Sequence, residues 1–187
     1  MSVSHTPTAT PSSRANVPRW IGLLLALVAW LVALPLVHGV LPWVISRRTP
    51  RHGWTADGPG MWNALGLIPV ALGAACLVWV FVVSFSHARE LPPRVELNWS
   101  PKILLRDGPF ALSRNPMYVA ELLLWFGWTL WYGSVAVFVG FLILGVLLRV
   151  VVPREERDLE AAFGEAYREY KAAVPRWIGT PRRRRMK

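Results

Sequence analysis

Two short polar segments of this 187-residue sequence hold the side chains best suited to bind a ligand. The first, residues 104–118, contains Gly108-Pro109-Phe110 and Arg114-Asn115-Pro116-Met117-Tyr118. The second, residues 149–156, contains Arg149, Arg154, Glu155 and Glu156. Carboxylates and guanidinium groups form strong hydrogen bonds because one partner is charged. The two segments are therefore the candidates for a site that holds a charged ligand.

Both segments also have a purely structural interpretation. Asn115 could cap the helix that follows it, while Arg114 faces lipid phosphates. Glu155 and Glu156 could be the first-turn acids of a helix that begins after Pro153, where negative charge is favourable. The residue types alone leave both interpretations open.

The elements that must position these segments are membrane helices. Residues 20–46, 61–85 and 118–152 form long apolar runs, and 53% of the chain is hydrophobic. About 20 apolar residues span a bilayer, so the third run is long enough for two crossings. An aromatic pair and turn residues at 131–134 divide it into helices 117–131 and 134–152. The sequence predicts an all-α membrane protein with about four transmembrane helices and a C-terminal helical hairpin.

The basic residues predict the orientation of these helices. Of the 21 Lys and Arg residues, 18 lie before the first helix, between the second and third, or from Arg149 onward. Positively charged loops remain in the cytoplasm, so we expect both termini and the polar segments on the cytoplasmic side. The net charge of +10 is explained by these loops. We therefore expect no nucleic-acid partner.

The cysteine and histidine positions argue against a metal site. Cys76 is the single cysteine and lies inside an apolar run, and the four histidines are scattered without ligand spacing. No metal is therefore expected.

The chain divides into four parts. We expect a disordered leader over residues 1–18, two membrane helices with their loops over 19–100, a functional core over 101–178 and a basic tail over 179–187. In the core, Leu159, Phe163, Tyr167 and Tyr170 recur at helical spacing, with charged residues on the other faces. This pattern predicts an amphipathic cytoplasmic helix on the membrane surface. Because a hairpin returns the chain to the side it left, the two polar segments should meet at one end of it.

The motifs of these segments, in this order across a hydrophobic hairpin, resemble the isoprenylcysteine carboxyl methyltransferase family and its phospholipid methyltransferase relatives. The resemblance covers about residues 101–178 and rests on the Gly108 and Arg114 motifs and on Glu155-Glu156, continued by Leu159, Phe163-Gly164, Tyr167 and Tyr170. It implies an integral-membrane enzyme that moves a methyl group from S-adenosylmethionine to a lipid-like acceptor.

The resemblance also implies the cofactor-binding residues. They are Leu104, Leu105, Phe110, Asn115, Pro116, Met117, Tyr118, Glu155 and Glu156. Three positions depart from the family pattern: Asn115 stands where His is frequent, Phe110 where Tyr is frequent, and Ala120 where Gly is common. Asn still offers a donor and an acceptor, whereas Phe offers only a ring.

The methyl acceptor is less determined. In the isoprenylcysteine branch an Arg holds the acceptor carboxylate, and Arg149 and Arg154 are the candidates here. A phospholipid amine is a second possible acceptor, and it would first have to lose a proton. Glu121 is the one acid well inside an apolar run, which makes it a candidate for a functional or a structural role. The same apolar hairpin would also suit a sterol-type reductase or a non-catalytic membrane scaffold that interacts with lipids.

Overall fold

The computed structural model describes residues 16–96 and 103–179, which form an assembly of helices. The main helices within these residues are α1 (Arg19–Arg47), α2 (Met61–Ala64), α3 (Leu67–Ser86), α4 (Pro116–Tyr132), α5 (Val135–Phe163) and α6 (Glu165–Ala173), and short 3-10 helices lie at His87–Glu90 and Gly108–Ala111. The described residues also contain four short strands. Strand β1 (Asn16–Pro18) pairs antiparallel with β4 (Arg94–Glu96), and β2 (Trp54–Thr55) pairs antiparallel with β3 (Gly58–Pro59). Most of the predicted leader and nearly all of the basic tail lie outside the described residues, although Asn16–Pro18 is a strand.

The predicted all-α membrane protein is confirmed. Within the described residues, three helical stretches are long and apolar enough to cross a membrane: Arg19–Arg47, Met61–Glu90 and Val135–Phe163. Helix α4 has 17 residues, which is at the lower limit for a crossing, and it packs between α3 and α5. Within α1, wider π-helical turns at Ala29–Ala33 and Leu36–Val40 flank Pro35, which has no backbone N–H to donate.

Glycines allow α3 and α4 to approach closely. A Cβ added to Gly127 would lie 2.6 Å from Val70 Cγ2 and 2.7 Å from the Gly66 carbonyl oxygen. A Cβ on Gly73 would lie 2.8 Å from the Ala120 carbonyl oxygen. Lipid provides no hydrophobic driving force between helices, so the close van der Waals packing that small residues allow stabilises their association.

We expect Gly127→Ala to destabilise the protein by about 1 to 3 kcal/mol, because the new methyl group overpacks a backbone contact. The matched control is Gly145→Ala in α5, where an added Cβ meets nothing within 4 Å. The control should be neutral or slightly stabilising, since Ala favours a helix over Gly. Thermal unfolding in detergent compares the two variants, and equal midpoints would contradict the close approach.

The turn between α4 and α5 is tied to the loop that follows α1. Gly133 ends α4 with φ of 56°, and its carbonyl oxygen accepts from the His52 amide at 3.0 Å. Asn63 Nδ2 donates to the carbonyl oxygens of His52 and Leu130, both at 3.0 Å. Asn63 therefore fixes the end of the hairpin that lies opposite the polar segments.

Helix α5 corrects one sequence expectation. It continues through Pro153 to Phe163, so no helix begins after Pro153, and Glu155 and Glu156 are not first-turn acids. The predicted surface helix is divided at Gly164, where φ is 54° and α6 begins. Glu155 and Glu156 therefore lie on the same continuous helix as the second arm of the hairpin. The helix dipole stabilises acidic side chains only in the first turn of a helix, so it does not explain the two adjacent acids in the interior of α5.

The orientation of the helices stays a prediction that labelling can test. On a Cys76→Ala background, we expect Val135→Cys and Glu165→Cys to react with impermeant maleimide from opposite sides of intact vesicles. Val135 is 64% exposed beside the hairpin turn, and the Glu165 side chain is 72% exposed on α6. Labelling of both from one side would contradict the distribution of basic residues.

Candidate functional site

The two polar segments meet at one end of the α4–α5 hairpin, as predicted. Their centre is Glu156, which is 2% exposed. Its carboxylate accepts from Arg176 Nη2 at 2.7 Å and Nε at 3.2 Å, and lies 3.1 Å from Arg114 Nη2. Asn115 Nδ2 completes this Glu156 cluster (Arg114, Asn115, Glu156 and Arg176) at 3.4 Å. A buried carboxylate needs such compensation for its lost hydration.

The cluster overturns the structural interpretation of Asn115 and Arg114. Asn115 precedes α4, but its side chain makes no cap hydrogen bond. It donates instead to Glu156 and, at 3.1 Å, to the Arg176 carbonyl oxygen. The Arg114 side chain is 8% exposed and faces Glu156, so it does not face lipid phosphates. Both residues join the polar loop to α5 and to the C-terminal segment.

The polar loop is held to α6 and to the segment after it by hydrogen bonds to backbone carbonyl groups. The Arg114 amide donates to the Pro175 carbonyl oxygen at 3.0 Å, and Ser113 Oγ donates to the Arg176 carbonyl oxygen at 3.2 Å. The Tyr170 hydroxyl donates to the Phe110 carbonyl oxygen at 2.7 Å. The site is therefore built from three separate parts of the sequence.

The apolar face predicted for a membrane-surface helix is covered by protein. Tyr167, Tyr170 and Val174 form a buried cluster, and its neighbours are Leu104, Leu159 and Phe163. Burial, followed by the negative charge of Glu156, raises the pKa of Tyr167 to about 12. Hydrogen bonding to Glu156 raises the pKa of the Arg176 guanidinium. Tyr167 is therefore neutral and Arg176 charged at physiological pH.

Beside the Glu156 cluster lies a second acid with a different environment. The Tyr118 hydroxyl donates to Glu155 Oε1 at 2.6 Å, and Glu155 is exposed on α5. Adjacent helical residues point about 100° apart, so Glu156 faces the protein while Glu155 faces Tyr118. Neither carboxylate oxygen of Glu155 contacts a cation among the described residues. This Tyr118–Glu155 pair is suited to a cationic ligand.

The remaining residues implied by the resemblance lie in the polar loop and at the start of α4. Pro116 is buried at the start of α4, and Phe110, Met117, Leu104 and Leu105 are partly buried. Leu104 and the Phe110 backbone contact the tyrosine cluster. Arg149 and Arg154 are exposed on α5, and in residues 16–96 and 103–179 neither forms an ion pair. The structure does not bring these two arginines into the cluster.

The family comparison addresses the same part of the chain. A family model described as phospholipid methyltransferase matches residues 62–166, which is more than half of the sequence. The chain belongs to the phospholipid methyltransferase family. The match runs from α2 to the start of α6 and so includes both acids and Tyr118. The protein is therefore an integral-membrane methyltransferase.

A curated relative resembles one third of the chain. An uncharacterized protein from Haemophilus influenzae is 41% identical over 63 residues, which are 33% of this chain and 100% of the relative. The name of this relative assigns no substrate, so the methyl acceptor has to be inferred from the site.

Sequence reasoning missed three contributors in this phospholipid methyltransferase family member. Arg114 and Arg176 neutralise Glu156, and His38 of α1 contacts Glu121 of α4. The sequence shows both arginines but not their pairing with Glu156, because Arg114 lies on the far side of the hairpin and Arg176 lies beyond α6. His38 gave no signal, because its partner is 83 residues away.

Proposed function

We propose that the protein is an S-adenosylmethionine-dependent methyltransferase that acts on a lipid-like acceptor. The observation that carries the proposal is the Tyr118–Glu155 pair, an exposed carboxylate held at the family's motif with no cationic partner among the described residues. The bound cofactor supplies an activated methyl group on a cationic sulfur. A nearby carboxylate stabilises both the cationic sulfur and the ammonium group of the cofactor.

The residues of the site fit this group. Glu155 keeps one carboxylate oxygen beyond the Tyr118 hydrogen bond, and Asn115 holds the polar loop against α5. Met117, which precedes Tyr118 on α4, adds a partly buried apolar side chain, and Phe110 is partly buried in the polar loop. Methyl transfer requires chiefly alignment of donor and acceptor, and positioning alone can supply roughly 7 to 11 kcal/mol. The rigid helix α5 and the fixed C-terminal segment support that positioning role.

A lipid-like acceptor is supported by a cavity between α1, α3 and α4. Its volume is about 600 Å³, and its lining is almost entirely apolar, including Trp30, Phe81, Leu124 and Trp128. Ligand pockets of small amphiphiles have this size and character. The carboxylate acceptor implied by the isoprenylcysteine branch remains a proposal that depends on Arg149 or Arg154.

Binding measurements test the proposed function. Protein in lipid nanodiscs is titrated with S-adenosylmethionine, S-adenosylhomocysteine and reduced nicotinamide adenine dinucleotide phosphate. We expect saturable binding of the first two and transfer of a labelled methyl group to lipid. Binding of the nicotinamide alone would favour a sterol-type reductase, and cofactor binding without transfer would favour a non-catalytic scaffold.

A further inference from the structure

The polar loop (residues 104–115) lies directly against the last turns of α3. Gly108 has φ of 56°, and a Cβ added to it would lie 2.7 Å from Val83 Cγ2 and 3.3 Å from Trp79 Nε1. Glycine suits both this left-handed backbone and so close an approach. The loop also carries Phe110, one of the residues that the resemblance assigns to the cofactor. A contact that holds the loop on α3 therefore acts on the proposed cofactor site.

His87 follows α3 and faces this loop. Its Nδ1 donates to the Val83 carbonyl oxygen at 2.9 Å, since a carbonyl oxygen can only accept. Its Nε2 lies 3.7 Å from Asp107 Oδ1 and 3.8 Å from Glu90 Oε1. The neutral ring thus turns an unprotonated nitrogen toward two carboxylates, whereas the protonated ring turns an N–H group and a positive charge toward them. Protonation of the ring strengthens this contact.

The charged groups that face the ring, among the described residues, are these two carboxylates. Glu90 belongs to the same 3-10 helix as His87, so its attraction does not involve the loop. Asp107 belongs to the polar loop. The neighbouring Arg106 donates to a backbone carbonyl oxygen of α6 at 2.6 Å and so points away from the ring. Within the described part of the chain, the His87–Asp107 contact is the one ion pair between the end of α3 and the loop.

Asp107 connects this contact to Phe110. The Asp107 carbonyl oxygen accepts from the Phe110 amide at 3.0 Å, within the turn that forms the 3-10 helix Gly108–Ala111. The Phe110 carbonyl oxygen in turn accepts from the Tyr170 hydroxyl of α6 at 2.7 Å. The loop is therefore held by α6 on one side and by α3 on the other. Of these two attachments, only the one to α3 contains a side chain that ordinarily titrates near neutral pH, His87.

Resting on the proposed function, we infer that His87 is a positioning residue of the cofactor site: its protonated ring, attracted to Asp107, holds the polar loop on α3 in the arrangement that binds S-adenosylmethionine. This attraction is complete below about pH 6.5, where a free imidazole is protonated, and is lost as the pH rises and the ring loses its proton. The cofactor should therefore bind more tightly in mildly acidic solution. The His87 and Asp107 side chains are 24% and 60% exposed, so the effect is that of a surface pair.

The test measures the affinity of the protein in nanodiscs for S-adenosylmethionine at about pH 6 and about pH 8, the range in which histidine changes its charge. His87→Gln is neutral at both values. We expect the wild type to bind about three- to fivefold more tightly than His87→Gln at the lower pH, and the two proteins to bind alike at the higher pH. Titration of the cofactor itself cancels in the ratio of the two affinities. At saturating cofactor, kcat should be the same in both proteins, because His87 touches no reacting group.

Two carboxylate variants identify the partner of the ring. Asp107→Asn should abolish the pH-dependent difference as His87→Gln does, because the loop loses its charge. Glu90→Gln is the matched control, since Glu90 is equally exposed and almost equally distant from the ring but lies outside the loop. It should keep the pH dependence.

Two basic-residue variants test the role of the charge. His87→Lys carries a positive charge at both pH values and should retain the tight binding at the higher one. His52→Gln replaces an exposed histidine at the opposite end of the hairpin and should behave like the wild type.

Three results would overturn the inference. They are a ratio of wild-type to His87→Gln affinity that is the same at both pH values, equal effects of Asp107→Asn and Glu90→Gln, and a His87→Lys variant that binds as weakly as His87→Gln at the higher pH. A histidine with a purely structural role would give the first of these.

Hydrogen exchange at the Phe110 amide tests the link between His87 and the loop without the cofactor. At about pH 6, protection corrected for intrinsic exchange should be lower in His87→Gln than in the wild type, since less of the loop is docked. Equal protection would contradict the link. A wild type that shows the difference in protection but binds no S-adenosylmethionine would instead overturn the proposed function, and with it the assignment of His87 to a cofactor site.

Discussion

Replacing Glu156 by glutamine is expected to destabilise the protein by about 3 to 5 kcal/mol, the cost of breaking a buried ion pair on one side. The Arg114 side chain, 8% exposed, would keep its charge without the carboxylate 3.1 Å away. Arg176 is 41% exposed and can recover hydration, so Arg114 accounts for most of the loss. Denaturant titration in mixed micelles measures the effect.

The control for this prediction is Glu160→Gln. Glu160 pairs with Lys171 at 3.1 Å, but the two side chains are 32% and 41% exposed. Surface pairs contribute about 0 to 1 kcal/mol, so this variant should remain close to the wild type. A loss below about 1 kcal/mol in Glu156→Gln would show that the cluster is solvated and does not hold the three segments together.

The sequence was sufficient to predict the large features of the fold. The length of the apolar runs predicted the membrane helices. The turn at residues 131–134 predicted the hairpin, and both ends of α4 were predicted to within one residue. The return of the chain to one side then implied that the two polar segments meet. These inferences succeed because hydrophobic length and local turn chemistry are local properties.

The details of the site depend on contacts between distant residues, which local patterns do not encode. Pro153 was expected to start a helix, because proline removes a hydrogen bond inside one. Helix α5 nevertheless continues through it, and Glu156 beyond it is held by Arg114 and Arg176. Asn115 looked like a helix cap because of its position, yet its side chain serves tertiary contacts.

The two adjacent acids have separate roles in this structure. Glu156 is enclosed and fully compensated, so it stabilises the fold. Glu155 is exposed, with Tyr118 as its partner, so it remains available to a ligand. The resemblance to methyltransferases placed both acids in the cofactor pocket. We propose that only Glu155 binds the cofactor directly, because Glu156 is buried. Cofactor affinity and protein stability should therefore respond to different substitutions.

Glu155→Gln is expected to weaken S-adenosylmethionine binding by about ten- to a hundredfold, because it removes a charge-assisted hydrogen bond worth about 1.5 to 3 kcal/mol. Stability should change by less than about 0.5 kcal/mol, since Glu155 is exposed in a helix interior. The Glu165→Gln variant on α6 is the matched control and should bind the cofactor normally. Isothermal titration of folded protein in nanodiscs measures the affinity.

Tyr118→Phe tests the contribution of the Tyr118–Glu155 hydrogen bond to cofactor binding. The Tyr118 hydroxyl donates to Glu155 at 2.6 Å and orients the carboxylate, so its loss should weaken cofactor binding by a smaller factor than loss of the charge. Glu156→Gln protein that remains folded provides the other comparison. If Glu155→Gln and Glu156→Gln reduced affinity equally and by less than threefold, the Tyr118–Glu155 pair would not be the cofactor's acidic partner. The exposed acid would then be a surface residue of α5.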